Sequence, residues 1–342
     1  MSKNIFNIKY IYDIFHNDCN KLIIIMPAEF IPPNILYIDS NLNLKFKLHV
    51  CPHGHTFIYE LLVQTKYTEN IKLLINNKQF NMKVNKYPEF NNEIIMSTMV
   101  KYDDNYIKQW IDFHYNIGVK HFIIYDNKKS DNMENRYNKS LNTDALRDIS
   151  NNSNLELLLD DYIKSNIVVL IDWPYNKFMK KSGISGQTTQ QNHSIYAFRN
   201  SKYIGLFDID EYVNMQNNTN ISNFFDSMIT KLKLDTNNIG SFKILNKFFH
   251  NPDNLPTHDF NFLSIFDCKT ISRRGHEKNF VIPKNVNTFS IHMITNGKKM
   301  YKVNCQELYF NHYCFLNKST RGRSKYHLKD KTILRHCKFI EK

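Results

Sequence analysis

The sequence predicts an α/β protein in which a largely parallel sheet follows a small β-rich unit. Three observations predict it. Residues 1 to 90 alternate short apolar runs with turn-forming Asn, Pro and Gly, the pattern of a β-rich fold. At Asn92 the pattern changes to a strand, a helix and a second strand within about 33 residues, the length of one βαβ unit. Farther on, KYIGLFDIDEYV at Lys202 to Val213 is an apolar run that stops abruptly in three acids, as a strand does where its C-terminal end meets a crevice.

In the first unit the runs are KLIIIMP, NILYI, LKFKLHV, TFIYELLV and KLLI. No catalytic cluster lies among them, so residues 1–90 read as a packing or interaction domain. EIIMSTMV then opens the sheet. From Asp104 to Gly118, Ile107, Trp110, Ile111, His114 and Ile117 recur at helical spacing, with Asp103 or Asp104 as N-cap and Gly118 as C-cap. VKHFIIYD is the second strand. Parallel strands end on one edge, where open α/β sheets bind ligands. That edge carries Lys101 to Asp104 after the first strand, and Asp126 with Asn127 after the second. LELLL and NIVVLIDWP read as further strands, and Gln187 to Asn200 as a helix feeding YIGLFD. The three polar clusters are expected to converge on one crevice, in a main domain of residues 91–325 followed by a basic tail, 326–342.

Composition supports a packed interior. The 342 residues are 42% hydrophobic, with 25 Phe and 20 Tyr, which excludes disorder as the default. The formal charge of +13 favours anionic partners without choosing among them. The basic residues concentrate in STRGRSKYHLKDKTILRHCK, but no aromatic and basic register of a base-stacking platform accompanies them, so no nucleic-acid partner is expected. Six cysteines without a CxxC pair suit free thiols in a reducing compartment. CPHGHTF at Cys51 to Phe57 lacks the second ligand pair of a zinc site and reads as a turn. MSKNIFNIKYIYDIFHND has no secretory-signal core, and no run approaches the roughly 18 apolar residues of a membrane span. A cytoplasmic protein is expected.

In extended chain, residues two apart point the same way. Asp208 and Asp210 can then aim both carboxylates at one point while Ile209 turns inward. That pair suits a hard divalent cation, Mn²⁺ or Mg²⁺, whose remaining positions are filled by water and phosphate oxygens. With 32 acids in 342 residues, acid-x-acid arises about 3 times by chance, so the triplet alone is weak. Its position at the end of an apolar strand strengthens it, because buried carboxylates need a positive partner.

The residues also carry a resemblance. VKYDDNYIKQWIDFHYNIGVKHFIIYDNKKSDN, SGQTTQQNHSIYAFRNSKYIGLFDIDEYV, KNFVIPKNVNTFSIH and YFNHYCFLNKS resemble, in order, the successive motifs of glycosyltransferase family 92 and related family 2-like enzymes, the domain of unknown function 23 group. The ordered matches run from about Asn92 to Arg323. The resemblance implies a GT-A fold, a Rossmann-like sheet with a DxD metal site, that moves a hexose from a nucleotide-sugar donor, usually UDP-linked, to a glycan or protein-linked hydroxyl acceptor, with inversion. It implies that Asp126 and Asn127 face the nucleoside, with Lys101 close by, and that Asp208 and Asp210 are the DxD. Gln187 and His193 match the Gln and His of the preceding helix. Lys278, with Pro283, matches a Lys-x-x-x-x-Pro whose cation binds diphosphate. His292 and His312 match late histidines that complete the metal shell or touch phosphate. At Tyr102 to Asp104 the sequence departs from the family's Glu. For the general base of an inverting transfer, Asp253, Asp259 and Glu277 are the candidates, and Asp259 in LPTHDFNF is preferred.

Two rivals use the same residues. A haloacid-dehalogenase-like phosphatase would use Asp208 as nucleophile, but Tyr212 stands where that group has a small hydroxyl or Val, and no later acidic pair is evident. A basic nucleic-acid-binding protein would use the C-terminal Arg and Lys cluster.

Overall fold

The computed structural model describes residues 11–17, 20–28, 31–39, 42–51, 56–63, 68–100, 104–127, 154–173, 185–249, 261–271, 276–313 and 328–337. The first unit holds β1 (Asp13–Asn17), β2 (Lys21–Pro27), β3 (Ile35–Asp39), β4 (Leu42–Lys45), β5 (Lys47–Val50), β6 (Thr56–Leu62), β7 (Asn70–Ile75), β8 (Lys78–Lys83) and β9 (Asn85–Lys86). They form two sheets, ordered β5-β6-β2-β1-β9 and β4-β3-β7-β8. Alternation places Leu22, Ile24 and Met26 of β2 against Ile35, Ile71, Leu73 and Ile75 of the second sheet in one apolar core, as period-two strands require. The opposite face of β2, Ile23 and Ile25, is not solvated. With Phe15 and Ile58 it joins a second core containing Ile123, Tyr125, Ile171 and Trp173, so the unit is welded onto the main sheet.

The main unit follows with β10 (Ile94–Val100), α1 (Asp104–Asn116), β11 (His121–Asp126), α2 (Leu155–Leu158), α3 (Asp160–Lys164), β12 (Val168–Asp172), α4 (Ser185–Ala197), β13 (Tyr203–Leu206), β14 (Glu211–Met215), α5 (Ile221–Leu232), β15 (Ile239–Ile244), β16 (Asn246–Phe249), β17 (Asp267–Cys268), β18 (Lys278–Val281), β19 (Val286–Ser290), β20 (Met293–Gly297), β21 (Lys299–Lys302), β22 (Leu308–Tyr313) and β23 (Leu328–Lys329). The central sheet runs β12-β11-β10-β13-β18-β15-β21. Its first four strands are parallel, and β18 joins antiparallel to β13. The result is a mixed α/β fold in which the C-terminal ends of β10, β11 and β13 share one edge.

Helix α1 forms where the apolar spacing places it. Ile107, Trp110, Ile111 and Phe113 are wholly buried, and each such side chain contributes about 1.5–3 kcal/mol on leaving water. Gly118 ends the turn at φ +102°, and a Cβ there would lie 2.5 Å from the Asn220 side chain. Asn220 in turn caps α5, accepting from Ser222 N and Asn223 N at 3.0 and 3.2 Å, so two helix ends interlock.

LELLL, expected to be a strand, is helix α2. Asn154 accepts from Glu156 N and Leu157 N, a side-chain cap that commits the backbone to helix, and Leu155 and Leu159 enter the core four residues apart. At the other end of the chain, β23 pairs with β17 and Ile333 packs into the main core. Among the described residues, Cys51, Cys268, Cys305 and Cys337 are free thiols, and no helix is long and apolar enough to cross a membrane. Most of CPHGHTF, at 52–55, lies outside the described residues.

Candidate active site

Strand β13 stops at Leu206, and Asp208 to Glu211 make a tight turn into β14. The Glu211 N–H donates to the Asp208 carbonyl at 3.1 Å, while the Asp208 N–H donates back to the Glu211 carboxylate at 2.9 Å. The expected extended geometry for Asp208 and Asp210 is therefore replaced by a turn. Ile209, 5% exposed, still drops into the core, but the two aspartates take different partners.

Asp208 accepts from Lys278 Nζ at 2.6 Å and from Gln187 Nε2, on the first turn of α4, at 3.2 Å. Lys278 also lies 2.9 Å from Glu211 Oε2; its side chain is 4% exposed and that of Glu211 1%. Asp208 keeps 45% of its side chain in solvent. Loss of water pushes its carboxyl up, and the Lys278 ammonium, helped by His312 and His292, more than reverses this and holds it below the usual range. Burial likewise opposes charge on Lys278, yet the two carboxylates keep it protonated and raise it above the ordinary lysine value. Glu211 moves the other way. Burial, reinforced by Asp208 and Asp210 against the pull of Lys278, raises it well above a normal glutamate.

Asp210 turns to His312, whose Nε2 is 3.5 Å from Asp210 Oδ2, while His312 Nδ1 is 3.7 Å from Glu211 Oε1. His312 reaches this place because β22 pairs with β14 in a register that sets Glu211 opposite His312. One ligand-type atom from each of Asp210, Glu211 and His312 lies within 4.8 Å of the others. Glu211 Oε1 is buried and, among the described residues, has no hydrogen-bond partner. The turn is pinned from behind by Trp110 Nε1 donating to the Glu211 carbonyl at 3.0 Å and by the Tyr313 N–H donating to the Asp210 carbonyl at 2.9 Å.

The sequence-predicted residues thus divide. Gln187, Asp208, Lys278, Asp210 and His312 come together. His292 stands at the rim, its Nδ1 2.7 Å from the Glu277 carbonyl, and burial followed by the nearby Lys278 charge lowers its pKa. His276, which sequence reasoning missed, has its ring centroid 6.3 Å from His312 and 6.4 Å from His292. Its φ of +121° is a costly conformation for a residue with a Cβ. Glu211 was also passed over as a ligand, although it was visible as the third acid of DIDE. Asp126 and Asn127 sit at the C-terminal end of β11, with Asn127 N–H donating to Val100 O at 2.9 Å. Lys101, Asp103, Asp253 and Asp259 lie outside the described residues, as does the side chain of Asp104.

His193 is elsewhere. It is wholly buried, with Nδ1 2.6 Å from Tyr125 OH and Nε2 2.7 Å from Asp13 Oδ2 on β1. Through Ser194 and Gln190 the network continues to Ser97 on β10. His193 therefore ties the first unit to the two strands that carry the crevice rather than opening onto it.

The family model of glycosyltransferase family 92 matches residues 146–338, more than half of the chain. This stretch includes Gln187, the acidic turn, Lys278, His292 and His312. Among curated proteins, none matches the sequence. The fold is similar to a solved WbbM bifunctional glycosyltransferase structure in its apo form only at a TM-score of 0.28 and 10% identity, over 51% of this chain and 26% of that one. A likeness that slight carries no argument, and the chain spans about a quarter of that solved chain's length.

Proposed function

The chain belongs to glycosyltransferase family 92, and on that premise we propose that it moves a sugar from a UDP-linked donor to a glycan or protein-linked hydroxyl, on a GT-A type sheet whose acidic turn receives the donor's diphosphate. The observation that carries the reading is the meeting of Asp210, Glu211 and His312 beside the Asp208–Lys278 ion pair at the end of β13.

The donor set fits a divalent cation. Among the described residues no hydrogen-bond donor reaches the buried Glu211 Oε1, and a positive ion would supply that oxygen's partner. Two carboxylates with one imidazole suit Mn²⁺ better than Mg²⁺. Asp210, Glu211 and His312 would hold the ion, which when bound supplies positive charge to a departing diphosphate.

The chain's own groups do the rest. Lys278 places a fixed ammonium at the same point, and Gln187 and Lys278 orient Asp208 toward the crevice. Asp126 and Asn127 stand at the C-terminal end of β11, two places from β13 in the sheet, where a nucleoside linked to that diphosphate would lie. In the transfer the bond between the sugar's anomeric carbon and the diphosphate oxygen breaks. The acceptor oxygen bonds to that carbon, and the hydroxyl proton leaves to a base. The phosphatase reading of Asp208 and the nucleic-acid reading of the basic cluster are not favoured.

Calorimetry with a panel of nucleotide sugars, with and without Mn²⁺, tests the reading on the wild type and on Asp210→Asn. The expected result is binding of a UDP-sugar that depends on Mn²⁺ and is lost in the variant. Absence of any metal-dependent nucleotide-sugar binding would overturn it.

A further inference from the structure

The sheet β4-β3-β7-β8 of the first unit packs through only one of its faces. Tyr37, Leu73 and Ile75 point into the core shared with β2. The composition of the opposite face follows from the register, because directly paired residues stand on the same side of a sheet. Leu36 lies between Lys45 and Leu74, and Ile38 between Asn43 and Lys72. Asn70, two residues before Lys72, adds Lys83 to the same side. The three lysines are exposed, and Leu36, Ile38 and Leu74 are partly exposed. None of these three aliphatic side chains belongs to a hydrophobic cluster. The remaining positions of the rows hold only Asn and Gln, so no acid stands on the face.

We propose that this face docks on a membrane surface rich in anionic phospholipid, with Lys45, Lys72 and Lys83 among the headgroups and Leu36, Ile38 and Leu74 at the boundary with the acyl chains.

Charge and composition select this occupant. An aliphatic centre flanked by lysines and free of acids matches a surface that is negative outside and apolar beneath. Lysines on edge strands also guard a sheet against strand addition, which accounts for Lys45 on β4 and Lys83 on β8. It does not account for Lys72, which sits beside Ile38 on the inner strand β7. Single-stranded nucleic acid is disfavoured because the face offers no aromatic ring for a base to stack on. A nucleic-acid duplex would use the lysines and leave the aliphatic side chains without a role.

Area argues against a folded protein partner. Four strands at the usual spacing span about 14 Å, and three rows along them about as much, so the patch covers about 200 Å². A stable interface takes about 800 Å² from each partner. Lipid binding builds up residue by residue instead, each lysine close to an anionic surface adding about fivefold. Because the first unit shares a core with the main sheet, docking would also hold the crevice at a fixed distance from the lipid.

The test is sedimentation of the full chain with vesicles of phosphatidylcholine alone and of phosphatidylcholine with one-third phosphatidylserine. The chain carries a formal charge of +13, so a control must remove as much charge elsewhere. Lys45→Gln, Lys72→Gln and Lys83→Gln together are compared with Lys120→Gln, Lys284→Gln and Lys299→Gln together, three lysines that are also exposed but lie on the main unit. The expected result is binding that requires phosphatidylserine and falls at least tenfold in the first triple variant and less than about threefold in the second. It should fall as well when Ile38→Ser and Leu74→Ser are combined. Near-ultraviolet circular dichroism checks that each variant keeps its tertiary signal, and Lys72→Gln alone, expected to cost about fivefold, replaces a triple variant that does not. Equal losses in the two triple variants, unchanged binding in the aliphatic pair, or no dependence on phosphatidylserine overturns the proposal. Duplex RNA that binds more tightly than the vesicles and is lost with the same three lysines overturns it in favour of a nucleic acid.

Discussion

Lys278 Nζ stands 2.6 Å from Asp208 Oδ2 and 2.9 Å from Glu211 Oε2, so one buried ammonium serves two carboxylates of unequal exposure. Its removal strands the enclosed Glu211 more than the half-open Asp208. Lys278→Ala is expected to lose about 3 kcal/mol of stability, the scale of a buried charge left unpaired, measured as a fall in the urea midpoint. Asp208→Asn, at a side chain 45% exposed and with Glu211 still beside the ammonium, is expected to cost less stability than Lys278→Ala while abolishing transfer. Equal losses of stability in the two variants would refute this asymmetry.

The first unit is not expected to be separable. Phe15, Ile23, Ile25 and Ile58 share a core with Ile123, Tyr125 and Trp173, and Asp13 holds His193. A chain beginning at Asn92 would expose that apolar face and leave a buried histidine without its carboxylate. It should be insoluble or molten by near-ultraviolet circular dichroism, and a soluble fragment with native tertiary signal would contradict the shared core.

Gly205, three residues before Asp208, has no room for a side chain. A Cβ there would meet Phe280 Cε1 at 2.8 Å and Met96 Cγ at 2.9 Å, both on strands paired with β13. Gly205→Ala is expected to lower stability by about 1–3 kcal/mol, and a denaturation midpoint equal to the wild type would disprove the tight fit.

Acid should weaken the fold well before its carboxylates titrate. Burial lowers His114 to about 3 and His336 to about 4. The unfolded chain takes up protons on these groups below pH 6.5 and the folded chain does not, so stability falls as pH falls, by about 1.4 kcal/mol per unit for each histidine. Glu211, whose pKa is raised, works in the opposite sense down to its ordinary value of 4.5 and cancels one of them. Below that the offset ends, and Asp330, lowered to about 2, begins to add its own loss from 3.8 downward. Urea midpoints from pH 7 to 3.5 should therefore fall with at least one group's slope and steepen below pH 4.5. A flat profile between pH 6.5 and 4.5 would contradict the buried neutral histidines.

Local pattern was enough to read four of the seven strands of the central sheet, β10 to β13. Helix α1 follows from the spacing of Ile107, Trp110 and Ile111, and β13 from YIGL ahead of the acids. LELLL misled because five apolar-rich residues fit either period, and the deciding group, Asn154, acts through its own side chain on the next turn. At the site, Asp208, Asp210 and Lys278 were marked by sequence position, but their division between Lys278 and His312 was not. That division depends on the turn at Asp208 to Glu211 and on strands about 70 and 100 residues downstream, and pairings so distant leave no mark on local period. His193 was misplaced for the same reason, since its partner Asp13 lies 180 residues away.

The register that sets Glu211 opposite His312 makes the chemistry of the crevice a matter of counting. Because side chains alternate across a strand, inserting or deleting one residue between Leu308 and His312 would swing the imidazole to the far side of its sheet and bring Asn311 or Tyr313 round in its place. One insertion offset by one deletion on the same stretch would restore both face and register, so each single length change is expected to be inactive and the compensated pair active.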